Sequence, residues 1–163
     1  MRADDDFDTF FRAEFPALVG FLCKIGTEVI VARDVAADAM LLAYESWSSI
    51  EHPRAWVRGV AGRLATERAR VDAGPRADWF PPAEPADDKL VTLVAQHAEI
   101  VDLLSVLPRQ QRTVLAWLLD GFTPAETAQA LKISPATVRS HRRHARERLR
   151  QRFPAARRPH DKR

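Results

Sequence analysis

Residues 107–153 read LPRQQRTVLAWLLDGFTPAETAQALKISPATVRSHRRHARERLRQRF, and the stretch holds two helix starts of one kind. Thr123-Pro124 and Ser134-Pro135 each place a hydroxyl at an N-cap and a proline at the first helical position, where the missing N–H costs nothing. Glu126 stands three residues after Thr123 and completes a capping box. Between the two starts lie a helix over 123–131 and a turn at 132–134, the short connection of a helix-turn-helix. Ala128, Leu131, Ile133 and Val138 are the small or apolar residues that close the angle between its helices.

At about 100° per residue, Val138, Ala145, Leu149 and Phe153 share the inward side of the second helix. Ala136, Arg139, Ser140, Arg143, His144 and Glu147 point away. Little bulk at the tip, with Thr137 beside it, donors in the first two turns and arginine further along suit a helix entering a DNA major groove. The plainer alternative is a solvated arginine-rich C-terminal helix favoured by the helix dipole. Coincidence of the two caps, the turn and the outward Arg/Ser set favours DNA.

Charge is divided along the chain. The net charge of +3 combines 12 Lys+Arg against 2 Asp+Glu in residues 132–163 with 13 against 20 in residues 1–131. A basic end is the electrostatic footprint of a polyanion, and the acidic remainder points to a protein partner. The lone Cys23 excludes an internal disulfide and a cysteine-based zinc cluster. No apolar run reaches the ~18 residues of a membrane span, and the acidic start (Asp4, Asp5, Asp6, Asp8) is unlike a signal peptide, so a cytoplasmic protein without membrane insertion is expected.

The front half carries three helical stripes. Phe7, Phe10, Phe11, Phe15, Leu18, Val19, Leu22 and Ile25 recur at spacings of three and four, in a helix expected to break near Pro16 and to stop at Gly26. A helix over 32–47 is expected to turn Val35, Ala39, Leu42, Ala43 and Trp47 inward, leaving Asp34, Asp38, Met40, Leu41 and Glu45 wholly or partly outside. Acid mixed with large apolar side chains on one exposed face suggests a docking surface; the alternative is an ordinary acidic helix surface. After a loop over 48–53, a helix over 54–71 has Trp56, Val60 and Leu64 inside and is decorated by Arg54, Arg58, Arg63, Arg68 and Arg70.

From Asp72 to Asp88, Gly74, Pro75, Pro81, Pro82 and Pro85 interrupt all periodicity and mark a linker, within which Trp79 and Phe80 are apolar enough to dock. Residues 89–106 form a fourth amphipathic helix. A fifth, opened by Pro108 and ended by Gly121, sets Val114, Leu115 and Leu118 under the helix-turn-helix. The last residues are a basic tail. With no strand pattern or repeat, the expected fold is all-α: two small helical bundles joined by a proline-rich linker.

FDTFFRAEFPALVGFL, ARDVAADAMLLAYESW and HPRAWVRGVAGRLATERAR, followed by a linker and the stretch quoted first, together resemble a bacterial sigma factor of the extracytoplasmic-function group of the sigma-70 family. The resemblance covers nearly the whole chain except linker and tail. It implies a region 2-like domain over 1–71, a linker over 72–88, a region 4-like domain over 89–153 and a tail over 154–163. It further implies binding to core RNA polymerase through Asp34, Asp38 and Leu41. Capture of a flipped −10 base and the melted strand falls to the loop with His52 and to Trp56, Arg58 and Arg63, though Trp56 reads first as core. Reading of the −35 element falls to Ala136, Thr137, Arg139, Ser140, Arg143 and His144. Promoter DNA and, commonly, an anti-sigma factor are the further partners; no cofactor, metal or catalytic residue is implied, and the chain is not expected to be an enzyme. It departs from the family pattern at Ala37, where Gln is common, at Gly62, where Asn often stands, and at His144, where Arg is frequent.

Two other classes compete. A LuxR-type regulator shares the Thr-Val-Arg-Ser-His run, but needs a ligand or receiver domain in front, for which no strand pattern exists. His141 and His144, three apart on a helix, could share a metal, yet no acid or cysteine completes the site and arginine crowds it.

Overall fold

The computed structural model describes residues 4–72 and 88–154, and the secondary structure in these is helical throughout. Helix α1 spans Asp4–Lys24, α2 Val29–Glu45 and α3 Pro53–Asp72, with a short 3-10 turn at Trp47–Ser49. Helix α4 spans Asp88–Ser105, α5 Arg109–Leu119, α6 Pro124–Leu131 and α7 Pro135–Arg152. Trp79, Phe80 and the basic tail beyond residue 154 lie outside the described residues.

Helix α1 runs through Pro16 without the expected break. A proline inside a helix removes one hydrogen bond and crowds the preceding turn. Here Pro16 faces solvent, while Phe11 and Phe15 before it and Leu18, Val19 and Leu22 after it join one core, so burial on both sides holds the helix together. Gly26 ends it as expected, with φ of +99° in the left-handed region. The Arg112 guanidinium of α5 lies against Gly26 where a Cβ would stand. That side chain also donates to the Leu104, Ser105 and Leu107 carbonyls, so it closes the C-terminus of α4 while bracing the end of α1.

Helix α2 departs in phase from the sequence expectation. Its buried row is Ala32, Val35, Ala36, Ala39, Met40 and Ala43. Met40 lies inside and Leu42 outside, the reverse of what was expected. Four alanines in that row let α1 and α3 approach closely, and this small-residue stripe fixes the rotation. Trp47 is buried as expected, but from the 3-10 turn, with Phe7 and Phe10 rings 5.1 and 5.0 Å away.

The rear helices build two small clusters. Leu104, Leu107 and Ala145 gather Ile100, Leu115 and Leu149. Val114, Ala128 and Val138 gather Leu118, Leu131 and Ile133, which is the expected helix-turn-helix core. Phe153, expected inward, is exposed because α7 ends at Arg152.

The two bundles share a larger core that the sequence did not announce. Ala116, Trp117 and Phe122 are buried with Leu18, Phe21, Leu22 and the α2–α3 residues in one continuous cluster. Trp117, 1% exposed, meets Phe21 edge-on at 5.5 Å and Phe122 at 4.9 Å. Helix α5 therefore has two buried faces, one on the helix-turn-helix and one on α1. Trp117→Ala is expected to cost about 3–5 kcal/mol, as large aromatic-to-alanine changes in cores do; a urea unfolding curve would show this as a lowered midpoint.

Candidate nucleic-acid interface

Helix α7 is held by its own sequence. Ser134 Oγ accepts the Thr137 N–H at 3.1 Å and lies 2.8 Å from the Thr137 hydroxyl, so the expected DNA contact Thr137 is partly engaged in the cap. The preceding turn places Lys132 in the left-handed conformation at φ 54°, and the Ile133 N–H returns to the Ala128 carbonyl at 3.0 Å. Ala136, Arg139, Arg143 and His144 are exposed and Ser140 half-buried, while Val138 and Ala145 are fully buried beneath them. The expected face is thus turned outward.

Three arginines extend that face beyond the expected set. Arg142, Arg146 and Arg150 join Arg139, Arg143 and Glu147 around a groove of about 280 Å³. Their spacing of three and four from Arg139 was the available signal. Glu147 is the one carboxylate lining the groove and accepts from Gln151 Nε2 at 3.0 Å. Among the described residues no ion pair engages these guanidiniums, so the groove carries an uncompensated positive charge.

Helix α6 shows the full capping box. Thr123 N–H donates to Glu126 Oε2 at 2.7 Å, and Glu126 N–H donates to Thr123 Oγ1 at 3.2 Å. The Thr123 amide, then its hydroxyl, hold the Glu126 carboxyl below the usual carboxylate range, with His52 and Arg54 of the front bundle adding positive potential. A carboxyl so depressed contributes stability above its unfolded pKa and loses it as pH falls through the folded value. Carboxyl NMR should therefore find Glu126 titrating below the ordinary ~4.3 of glutamate. Thr123→Ala should raise that midpoint and cost about 1 kcal/mol.

The residues expected at the −10 element divide. His52 and Arg63 are exposed and Trp56 half-buried, and all three line a cleft of about 690 Å³. Its opposite wall is made by Phe122, Glu126 and Gln129 of the rear bundle. Arg58 lies elsewhere: it is 1% exposed and so is not the surface arginine that was expected. Its Nη1 meets Glu14 at 3.0 Å, its Nε meets Asp120 at 2.7 Å, and the Arg54 carbonyl takes a further bond at 3.0 Å. Five arginines on α3 looked alike in sequence; only the fold shows which one faces a carboxylate 62 residues away. Arg54, absent from the expected set, lines the cleft and bonds Glu14 at 2.9 Å.

On α2, Asp34, Asp38 and Leu41 are exposed as expected. Ile30, Leu42 and Tyr44 add exposed apolar surface that the sequence reading left out. Asp38 lies 3.8 Å from Arg68, an exposed and loosely set pair of little energetic weight. Ala37, a departure from the family pattern, is exposed, and a Cβ at Gly62 would meet nothing within 4 Å. Among the described residues no group of His, Cys, Asp and Glu is arranged to hold a metal, and no helix is long and apolar enough to cross a membrane.

The family model for sigma-70, region 4 matches residues 97–149, from within α4 through most of α7. The RNA polymerase sigma-E factor of Streptomyces coelicolor is 31% identical over 158 residues, covering 90% of this chain and 85% of that protein. The chain belongs to the extracytoplasmic-function sigma factors. The sigma-E factor of Streptomyces avermitilis is 29% identical, with 90% and 84% covered. In solved structures, this sigma factor's fold matches RpoE of Bartonella quintana, crystallised with the anti-sigma factor NepR, at TM-score 0.66, 20% identity and coverage of 90% and 95%. CnrH, in complex with the cytosolic domain of CnrY, matches at TM-score 0.66 and 18% identity, covering 91% of this chain and 88% of that one. The three-helix front half of this sigma factor leaves no place among the described residues for the receiver or ligand domain that a LuxR-type regulator requires.

Proposed function

We propose that this sigma factor binds core RNA polymerase, places its rear bundle on the −35 element and its front bundle on the −10 element, and helps to open the duplex. The observation that carries the reading is the α7 face, small at the tip and cationic behind, on a helix whose start is fixed by its own Ser134 cap. A major groove admits such a helix, and Arg139 or Arg143 can reach guanine edges while Arg142, Arg146 and Arg150 neutralise phosphates.

In the front bundle, His52, Trp56 and Arg63 surround a cleft with room for an unstacked base, and stacking on an aromatic ring offsets part of the cost of flipping. The exposed acids and apolar residues of α2, with Asp34, Asp38 and Leu41 at the centre, are the polymerase-docking face. An anti-sigma factor, the class of partner crystallised with the Bartonella quintana relative, would act by covering these faces. Work of this kind takes place in the bacterial cytoplasm, and bond formation belongs to the polymerase, with no catalytic residue supplied by this chain.

Run-off transcription with core polymerase on genomic fragments tests the proposal: promoter-dependent initiation is expected, and tight binding to duplex DNA without any initiation would overturn it. Arg143→Ala should weaken binding to the cognate −35 sequence by ~1–3 kcal/mol, the scale of one bidentate base contact. Equal weakening on scrambled DNA would reassign Arg143 to phosphate.

A further inference from the structure

Helices α1 and α4 approach unevenly along their length. A Cβ at Gly20 would stand 2.8 Å from His97 Nε2, so the glycine lets the imidazole lie on the α1 backbone. His97 Nδ1 is 2.9 Å from the Leu93 carbonyl, which sets the ring along its own helix. One turn nearer the N-terminus of each helix stand Pro16 and Leu93, with Phe15 stacked on Phe11 at 5.1 Å. No glycine stands at that level, and helices drawn together at Gly20 part over these larger side chains. A cavity of about 490 Å³ opens between them.

Its floor is apolar, made by Phe15, Pro16, Val19 and Leu93. Its rim carries the exposed Arg33 of α2 and the exposed Gln96 of α4, with Asp88, Lys89 and Thr92 at the start of α4. The Thr92 hydroxyl donates to the Asp88 carbonyl at 2.9 Å. Among the described residues Arg33 forms no ion pair. Arg33 and Lys89 outnumber Asp88, so the mouth of the cavity favours an anion.

Cavities of roughly 300–1,000 Å³, mostly apolar with a few placed polar groups, are the ordinary form of small-molecule sites. A guanidinium presents a planar fork that matches a carboxylate with two parallel hydrogen bonds. An apolar body ending in one carboxylate satisfies both floor and rim. A polyanion does not, because its remaining phosphates would lie against the apolar floor or against Asp88.

We propose that this cavity is a binding site for a small apolar monocarboxylic acid, whose chain lies on Phe15, Val19 and Leu93 while its carboxylate meets Arg33 and the Gln96 amide. Occupancy ties α1, α2 and α4 together and stabilises the folded chain by mass action. The site shares no residue with the α7 groove, with the cleft at Trp56 or with Asp34, Asp38 and Leu41, and it stands with or without the promoter reading.

Isothermal titration of the full-length chain with straight-chain carboxylates from butanoate to decanoate, below micelle-forming concentrations, tests the assignment. One molecule should bind per chain, and each added methylene should tighten binding about fourfold until the cavity is filled. Alcohols of matching length should bind about tenfold more weakly, for want of a charged hydrogen-bond partner. Arg33→Gln should remove that difference. Thr92→Trp, which fills the cavity from the exposed side of α4, should abolish binding of both series; if it alters the helical circular dichroism, Gln96→Trp is read in its place. Absence of saturable binding overturns the site, and so does binding that survives both Arg33→Gln and the tryptophan variant. Binding to anionic phospholipid vesicles without binding of any free acid would assign the cavity to a membrane surface and overturn the proposal. Self-association that the tryptophan variant abolishes, again with no acid bound, would assign it to a second copy of the chain and overturn it equally.

Discussion

A buried carboxylate between two buried cations holds the halves of this molecule in register. Among the described residues, Asp120 is the only acid of the rear bundle that reaches Lys24 and Arg58, whose side chains are 8% and 1% exposed. Removing one partner from a buried pair leaves a charge stranded at a cost of several kcal/mol, even where the pair as a whole gives little net stability. The ion cluster thus serves orientation more than strength. Trp117, Phe21 and Phe122 supply the apolar burial, which is indifferent to exact direction. Hydrogen bonds to Asp120 and Glu14 select one direction among those that burial would allow.

Each bundle also keeps an interior of its own. The helix-turn-helix is complete without the front bundle, because its caps are local and its core of Val114, Ala128 and Val138 lies within α5–α7. The front bundle closes over its own alanine-lined α2. What joins them is the α5–α6 turn, one face of α5 and the packing of α4 along α1, where the His97 ring lies against Gly20 and Leu93 meets the front core. Parting them would uncover Phe21, Trp117 and Phe122 together with the buried ion cluster, while Val114, Ala128 and Val138 stay covered within the helix-turn-helix.

Periodicity and caps in the sequence made the helices and the outward face of α7 legible. Two proline-marked starts placed α6 and α7, and the outward set of Ala136, Arg139, Arg143 and His144 followed from helical geometry alone. Pairings between distant segments were not legible. Pro16 read as a break because local propensity counts the lost hydrogen bond, whereas the burial that outweighs it comes from α2 and α3. Met40 and Leu42 exchanged sides because a row of alanines, weak as a hydrophobic signal, decides how closely helices approach. Arg58 read as one surface arginine of five, since nothing within α3 indicates an acid waiting at the end of α5.

The self-contained cap at Ser134 has a consequence for how such proteins diversify. Helix α7 is fixed by Ser134, Val138 and Ala145, none of which belongs to the exposed tip. Ala136, Arg139 and Arg143 are therefore at liberty to drift: under the promoter reading proposed above, a duplicated gene could acquire a new set of target sequences through two or three surface replacements, while the scaffold beneath them stays under unchanged selection.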